Sequence, residues 1–319
     1  MDFELSEDQV ALQQELRRFL AARVGSEARR AIGAQPGAVD RGLWGELAGM
    51  GVFSLTVAEA DGGVGLGMAE AAIAFEELGR AAVPGPLIST FLAVASGWVD
   101  GDAVVGWVPA SGAVMIEHLD ALDSVLVVGD DGVSLAAPPS GLTAVARPLD
   151  PLTPVHLIDT APSGDVVGDT TAVARVQRDG ELLAAAMQVG LGAAAVDLGA
   201  AYAGERTQFG KVIGGFQAVK HLLADAQVAV EVARAAVHTA AVEIDEAEGA
   251  APAPMRAVDG ARIVASHAAE RATTACIQVH GGIGYTWELD AHLLLKRAMV
   301  LDVAFTTVDA ATESLAAAL

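Results

Sequence analysis

The sequence predicts a mainly α-helical protein with a small central β domain and a C-terminal four-helix bundle, and three observations carry that prediction. Apolar residues recur at helical spacing through the first hundred positions. Between Asp100 and about Gly168 the texture changes to short β-branched pieces separated by Gly, Asp and Pro. After Gly180 the chain is rich in Ala, Leu and Glu, all strong helix formers. The division expected along the chain is an N-terminal helical domain over 1–99, a short β domain over 100–170 and a helical bundle over 171–319. A chain of 319 residues is long enough to bury a core in each.

The elements follow in order. Ser6 and Gln9 form a capping-box pattern that starts a helix whose Leu12, Leu16, Phe19 and Leu20 share one face. A second periodicity runs through Leu43, Leu47 and Met50 to Gly51, and the glycine-dense loop Glu59–Gly67 follows. A third helix spans about Met68 to Gly79, Pro84-Gly85-Pro86 breaks the chain, and an apolar helix continues to about Trp98. Val104-Val105, Val114-Met115-Ile116 and Ser124–Val128 read as strands of a small antiparallel domain, with Asp130-Asp131-Gly132 as a hairpin turn. Long helices are then expected at about 181–204, 215–247, 256–279 and 288–315, with Glu248–Pro254 as one of the connections.

Composition narrows the function. Nineteen basic residues against 41 acidic ones give a net charge of −22, which offers no footprint for a nucleic-acid backbone or an anionic membrane. The hydrophobic fraction is 53% and the mean hydropathy +0.44, yet the longest charge-free stretch, Ala81–Val99, is interrupted early by Pro84 and Pro86. The first residues are acidic, without a basic region ahead of an apolar core. The expectation is a cytoplasmic protein with much buried helix and no membrane insertion. The single cysteine, Cys276, excludes an intrachain disulfide framework. With His280 four residues on, it is either a nucleophile pair or, in keeping with the residue type, a buried core thiol. No His-Glu-x-x-His or comparable spacing suggests a metal.

Two stretches carry the chemistry. In Arg206-Thr207-Gln208-Phe209-Gly210-Lys211, Arg206 can offer a planar fork of donors to phosphate oxygens, and Phe209 can pack on a flat ring system. The bland alternative is a surface Arg with Phe209 plugging a turn. In Gln278–Gly284, glycines behind an amide side chain let a ligand approach the backbone. Gly190-Leu191-Gly192-Ala193-Ala194-Ala195 matches a dinucleotide-binding pattern, but strong helix formers precede it where a strand is required. Close helix crossing explains those glycines better. Glu288 and His292, read one helical turn apart, suit either an interface or substrate contact or a solvated face.

In order and spacing these blocks resemble the acyl-CoA dehydrogenase family over most of the chain. Met1–Ser6 with Gln9, Leu43-Trp44, Glu59, Gly62-Gly63, Gly65–Gly67 and Glu76–Gly79 are similar to its N-terminal domain. Glu205–Lys211, Ile213, Phe216-Gln217, Lys220, Leu223–Asp225 and Gln278–Tyr285 are similar to its C-terminal domain. The resemblance implies FAD as cofactor, shared across a subunit interface. Arg206, Gln208 and Phe209 would contact its pyrophosphate and adenosine half, and Gln278, Gly281 and Gly282 would line the same half. It also implies an acyl-CoA substrate, desaturated at adjacent carbons, and an electron-transfer flavoprotein as acceptor.

The departures shape the functional expectation. No Thr-Glu-Pro-like loop or Trp-Ile-Thr-like strand stands between Asp100 and Gly168, so the central domain is shortened relative to the family. Proton abstraction beside a thioester needs a carboxylate with its pKa raised towards neutrality. The usual position for it falls in Ala304–Thr307, at Thr306, whose hydroxyl is no base. A minority branch puts it at the first bundle helix, where the register lands on Gly180, one residue before Glu181. That one-residue offset turns a helical side chain by about 100°. The leading expectation is a subunit of a heteromeric enzyme, resembling the small subunits of actinobacterial complexes that act on steroid-derived CoA thioesters, in an α2β2 heterotetramer with a longer catalytic partner. The alternatives are a self-sufficient homo-oligomer using Glu181, and a structural or binding homologue without redox chemistry.

Overall fold

The computed structural model describes residues 4–112, 114–247 and 255–318. Met1-Asp2-Phe3 of the opening motif and the Glu248–Pro254 connection lie outside the described residues. Packing divides the chain into two compact units, and neither is a single stretch of sequence. One holds residues up to Ala22, Ala72–Val83 and the chain from Glu181 onward; the other holds Arg23–Ala71 and Pro84–Gly180.

Helix α1 (Glu7–Arg23) begins at the expected capping box: the Gln9 amide donates to Ser6 Oγ at 3.2 Å, and the Ser6 amide to Gln9 Oε1 at 3.0 Å. Leu16 and Leu20 are buried. Next come α2 (Ser26–Gly33), too short to leave a readable periodicity, and α3 (Arg41–Gly49), capped by the Asp40 carboxylate. Helices α4 (Met68–Arg80) and α5 (Leu87–Ala95) stand where the apolar pattern puts them. Gly85 (φ +126°) separates them because a side chain there would strike the Trp44 ring.

The central strands are β1 (Val105–Pro109), β2 (Val114–Glu117), β3 (Ser124–Val128), β4 (Val133–Ala136), β5 (Val155–Ile158) and β6 (Asp165–Gly168). Four form one sheet in the order β1-β3-β4-β6, while β2 pairs with β5. The turn at 129–132 joins β3 to β4 as expected, with Val128 opposite Val133. The purely antiparallel expectation is corrected, because β1 and β3 run parallel, Val105 beside Ser124. The reason is the connection: β2 leaves for the second ribbon and the chain returns through a short turn at Leu119–Ala121, so β3 re-enters in the direction of β1. Val108, Ile116, Val125 and Ile158 fill the space beneath.

The helical region differs from expectation at both ends. Helix α6 spans Thr170–Glu205, eleven residues longer at its start than the pattern predicts. Asp169 caps it by accepting from the Thr171 and Ala172 amides at 3.0 and 3.1 Å, and Gly180 lies buried in its interior. By length and composition this is the one helix among the described residues able to cross a membrane, but 83% of its apolar window is buried inside the fold. A short hairpin of β7 (Thr207–Gln208) and β8 (Lys211–Val212) follows, then α7 (Gln217–Glu246) and α8 (Met255–His280). The single last helix expected over 288–315 is two: α9 (Ala291–Leu301) and α10 (Val308–Ala317). Phe305 takes φ +62° in the break, and Thr307 caps α10 through the Ala310 amide at 3.1 Å.

Gly190 and Gly79 mark a close crossing of α6 and α4 in the first unit. A Cβ at Gly190 would stand 1.9 Å from the Glu76 carbonyl oxygen, and one at Gly79 2.2 Å from that of Met187. In the dinucleotide-like glycine pattern, Gly190 therefore serves a crossing of α6 over α4, while Gly192 faces Val230 of α7 and Ala269 of α8. Glu77 on α4 accepts from Arg17 at 2.8 and 2.5 Å, and Glu76 from Arg234 at 2.9 Å. Adjacent carboxylates thus fix α4 to α1 on one side and to α7 on the other.

Candidate functional site

The last turn of α6 delivers the first motif. The Arg206 amide closes that turn on the Tyr202 carbonyl at 2.9 Å, and the chain enters the hairpin with Thr207 opposite Val212 and Gln208 opposite Lys211. Only Phe209 and Gly210 remain for the tip, with φ of +51° and +77°. Two consecutive positive φ values make a type I′ turn, which favours Gly, Asn or Asp and strains a bulky side chain. Phe209 is nevertheless the residue there, and it is 92% exposed. It does not plug the turn. Its ring meets the edge of Phe216 at 6.1 Å, beneath which Lys211 Nζ lies 4.2 Å from the Phe216 centroid. Arg206 and Gln208 are exposed beside it, and the Gln208 carboxamide donates to the Thr207 carbonyl at 2.8 Å.

The second motif sits at the same end of the helices. Gln278 is exposed on the last turn of α8, followed by a 3-10 turn over Gly281–Tyr285. A Cβ at Gly281 or Gly282 would meet nothing within 4 Å, so the backbone face is open there. The His280 ring stacks on Tyr202 at 4.3 Å. Since Tyr202 lies four residues before Arg206 and His280 directly precedes Gly281, this stack brings together two motifs over 70 positions apart. Exposed donors, a projecting ring and an uncovered glycine backbone suit the phosphate and adenosine portion of a dinucleotide.

Cys276 is no part of that chemistry. His280 Nδ1 lies 2.7 Å from the Cys276 carbonyl, to which it donates, and 3.7 Å from Sγ. A ring nitrogen holding its proton for a carbonyl cannot take one from the thiol. Burial also pushes the thiol up to about 12. It is a core residue.

The two positions considered for a base converge. Glu181 does not start a helix: it lies inside α6, 2% exposed, with its carboxyl turned onto α8. Burial, and then the charge and hydrogen bond of Asp259, raise it to about 8, while Arg262 opposes them. Its Oε1 has no partner among the described residues. Thr306 lies in the α9–α10 break and offers its backbone carbonyl to Arg262 Nη2 at 3.2 Å. Arg262 therefore stands between positions 125 residues apart. Fully buried, it also donates to the Leu301 carbonyl and, at 2.7 Å, to Gln188 Oε1. Burial drags its pKa down, against the opposing pull of Asp302 and Glu181. Sequence reasoning overlooks Arg262, Gln188 and Asp259, for which the available signal is a charged or amide residue within an otherwise Ala-rich helix face.

The pairing of Glu288 with His292 on one helical turn is corrected. Glu288 precedes α9 in an exposed turn, whereas His292 is buried within the first turn, its ring edge-on to Trp287 at 5.1 Å. The two do not share a helical face because the helix starts only at Ala291. Tyr285 and Trp287 are exposed alongside. Among the described residues no cluster of His, Cys, Asp or Glu could hold a metal.

Known proteins resemble this chain in sequence and in fold. The family model described as acyl-CoA dehydrogenase, N-terminal domain, matches residues 6–99, and that for the C-terminal domain matches 177–319. Acyl-CoA dehydrogenase IpdE2 of Mycobacterium tuberculosis is 34% identical over 312 residues, covering 92% of this chain and 91% of the relative. Among solved structures, a chain of the ChsE4–ChsE5 complex from Mycobacterium tuberculosis superposes with a TM-score of 0.84 at 24% identity, covering 99% of this chain and 98% of that one. A variant of the Tcur3481–Tcur3483 steroid ACAD gives 0.83 at 23% identity, with coverage of 98% and 97%. At those identities the structures speak to the fold, and the sequence matches speak to descent: the chain belongs to the acyl-CoA dehydrogenase family.

Proposed function

We propose that this chain is a subunit of a heteromeric FAD-dependent acyl-CoA dehydrogenase, in which it completes the FAD site of a longer partner that brings the base. Members of the family are FAD-dependent. When bound, FAD accepts the hydride as the acyl group is desaturated. The observation that carries the reading is the state of the two base positions. Ala304–Thr307 contains no carboxylate, and Glu181 is almost fully buried inside α6. Arg206, Gln208 and Phe209, with Gln278, Gly281 and Gly282, hold the pyrophosphate and adenosine half, which only needs donors, a ring and open backbone. We assign an α2β2 assembly, an electron-transfer flavoprotein as acceptor, and a steroid-derived acyl group, in line with a steroid ACAD among the proteins that share the fold.

A second reading, a self-sufficient homo-oligomer using Glu181, is favoured by the elevated pKa of that carboxyl, a property an enolising base needs. Its burial inside α6, at 2% exposed, weighs against it. The deciding experiment purifies the chain alone and with a longer homologous partner, then records flavin absorbance and dye reduction with acyl-CoA. Flavin only in the complex is the expected result. Flavin and activity in the lone chain would sink the heteromeric reading, and absence of flavin from both would leave a homologue without redox chemistry.

A further inference from the structure

Helix α7 is apolar on two opposite sides. Ala226, Val230, Ala233 and Val237 recur at helical spacing and are buried within the fold. Ala224, Val228, Val232 and Ala235 recur in a similar way two residues out of step, which on a helix turning about 100° per residue sets them on the far side. These four are exposed, Val228 at 63% and Val232 at 56%. A surface helix ordinarily carries one apolar face and one charged face. The carboxylates that flank Val228 and Val232 are already engaged within the chain. Asp225 accepts from Arg271 at 2.9 Å, while Glu231 accepts from the Gln227 side chain at 2.6 Å and pairs with Arg234, itself bonded to Glu76. Thr239, at the end of the stripe, donates to the Ala235 carbonyl at 2.8 Å. The outer stripe is therefore apolar, uncharged and open to solvent.

We propose that this stripe docks against the same stripe of a second copy of the chain, with the two α7 helices antiparallel about a two-fold axis between Val228 and Val232. The stripe reads the same in both directions, Ala-Val-Val-Ala at 224, 228, 232 and 235. A two-fold axis therefore sets Val228 opposite Val232 of the second copy, and Ala224 opposite its Ala235, which is the self-complementarity an isologous contact requires. With its flanking carboxylates engaged, the stripe has no free charge to offer a basic or acidic segment. It is about 16 Å long and no wider than the roughly 10 Å of one helix, well short of the roughly 800 Å² per side of a standard interface. The contact is accordingly weak in the lone chain and strengthened where further subunits hold the two copies together. Placing it at the two-fold axis of the α2β2 assembly rests on the subunit reading above. The contact itself involves neither flavin nor the longer partner.

Engineered cysteines test the register in the full chain, whose own Cys276 is buried. Ala224→Cys combined with Ala235→Cys should give a disulfide-linked dimer under mild oxidation, because antiparallel pairing brings each within bridging reach of the other. Ala224→Cys alone should form no linked dimer, since its two copies would lie about 16 Å apart. Sedimentation of the unsubstituted chain should show a mass rising towards a dimer as concentration climbs through the micromolar range. Val228→Glu should weaken that association about a hundredfold or more by burying an unpaired charge. Val228 is exposed, so this variant should keep the wild-type melting temperature. A double cysteine variant that fails to link, equal linking by Ala224→Cys alone, or unchanged association of Val228→Glu would overturn the pairing. A lone chain that stays monomeric, with Val228→Glu losing assembly with the longer partner, would overturn it too and give the stripe to that partner. No complex with the partner while the cross-link still forms would instead overturn the subunit reading alone.

Discussion

Arg262 Nη1 donates to Gln188 Oε1 at 2.7 Å, and the Gln188 amide passes the connection on to the Ala298 carbonyl at 3.3 Å and the Asp302 carboxylate at 2.6 Å. A helix leaves its last carbonyls without intrahelical partners. Here the Ala298 and Leu301 carbonyls at the end of α9 accept the Asp302 and Ala304 amides, and buried side chains from α6 and α8 add a second donor to each. Gln188→Leu keeps the volume and removes every one of its bonds. The expected cost is about 2–4 kcal/mol, for stranding buried donors and acceptors together, read as a lower urea midpoint at unchanged m-value.

Glu76 contributes to stability on the acid side. Burial raises its carboxyl, but His238 and Arg234, 3.6 and 2.9 Å away, outweigh burial and leave it below the ordinary value. A depressed carboxylate contributes stability above its unfolded pKa and loses it as pH falls through the folded one. Glu76→Gln should therefore flatten the acid side of the pH–stability curve and cost about 1.5–3 kcal/mol at neutral pH, the range for hydrogen bonds to charged groups. Thermal unfolding from pH 3 to 7 measures both.

Two glycines of α6 should respond oppositely to the same substitution. Gly190→Ala must push a methyl into the Glu76 carbonyl, 1.9 Å from its Cβ, and should destabilise by about 1–3 kcal/mol despite better helix propensity. Gly204→Ala meets nothing within 4 Å and should gain about 0.5–1 kcal/mol. Denaturation of both variants in parallel separates crossing geometry from propensity.

Phe209→Gly dissociates stability from the proposed cofactor role. Glycine relieves the positive φ and uncovers no core, so the lone chain should unfold at an equal or higher temperature. In the complex, loss of the ring should weaken flavin retention about tenfold or more, an aromatic contact being worth about 1–3 kcal/mol. Equal retention would remove Phe209 from the site.

Cys276 should be inert while the chain is folded. With its thiol pushed up to about 12 and buried, it should not react with a disulfide reagent at pH 8, and should react stoichiometrically once denaturant unfolds the protein.

Local chemistry was legible in the sequence and long-range geometry was not. The Ser6–Gln9 capping box and the Asp130–Gly132 turn are written within a few residues, and both form as expected. The parallel pairing of β1 with β3 depends on where β2 finds β5, forty residues later, which no local pattern encodes. Gly180 argues for a helix boundary by propensity, yet burial in α6 overrides it. Ala304-Phe305-Thr306-Thr307 holds no Gly or Pro, so the α9–α10 break leaves no breaker signal; the acceptors it exposes are met by Arg262, some forty residues upstream. The Arg206 and Gly281 motifs were legible as separate pieces, and their union needed the Tyr202–His280 stack.

The Phe209 tip bears on the cost of binding. The β7–β8 hairpin holds the ring out at φ +51° and leaves it in water, so its direction is set in advance. A planar ligand that stacked on it would find little left to order.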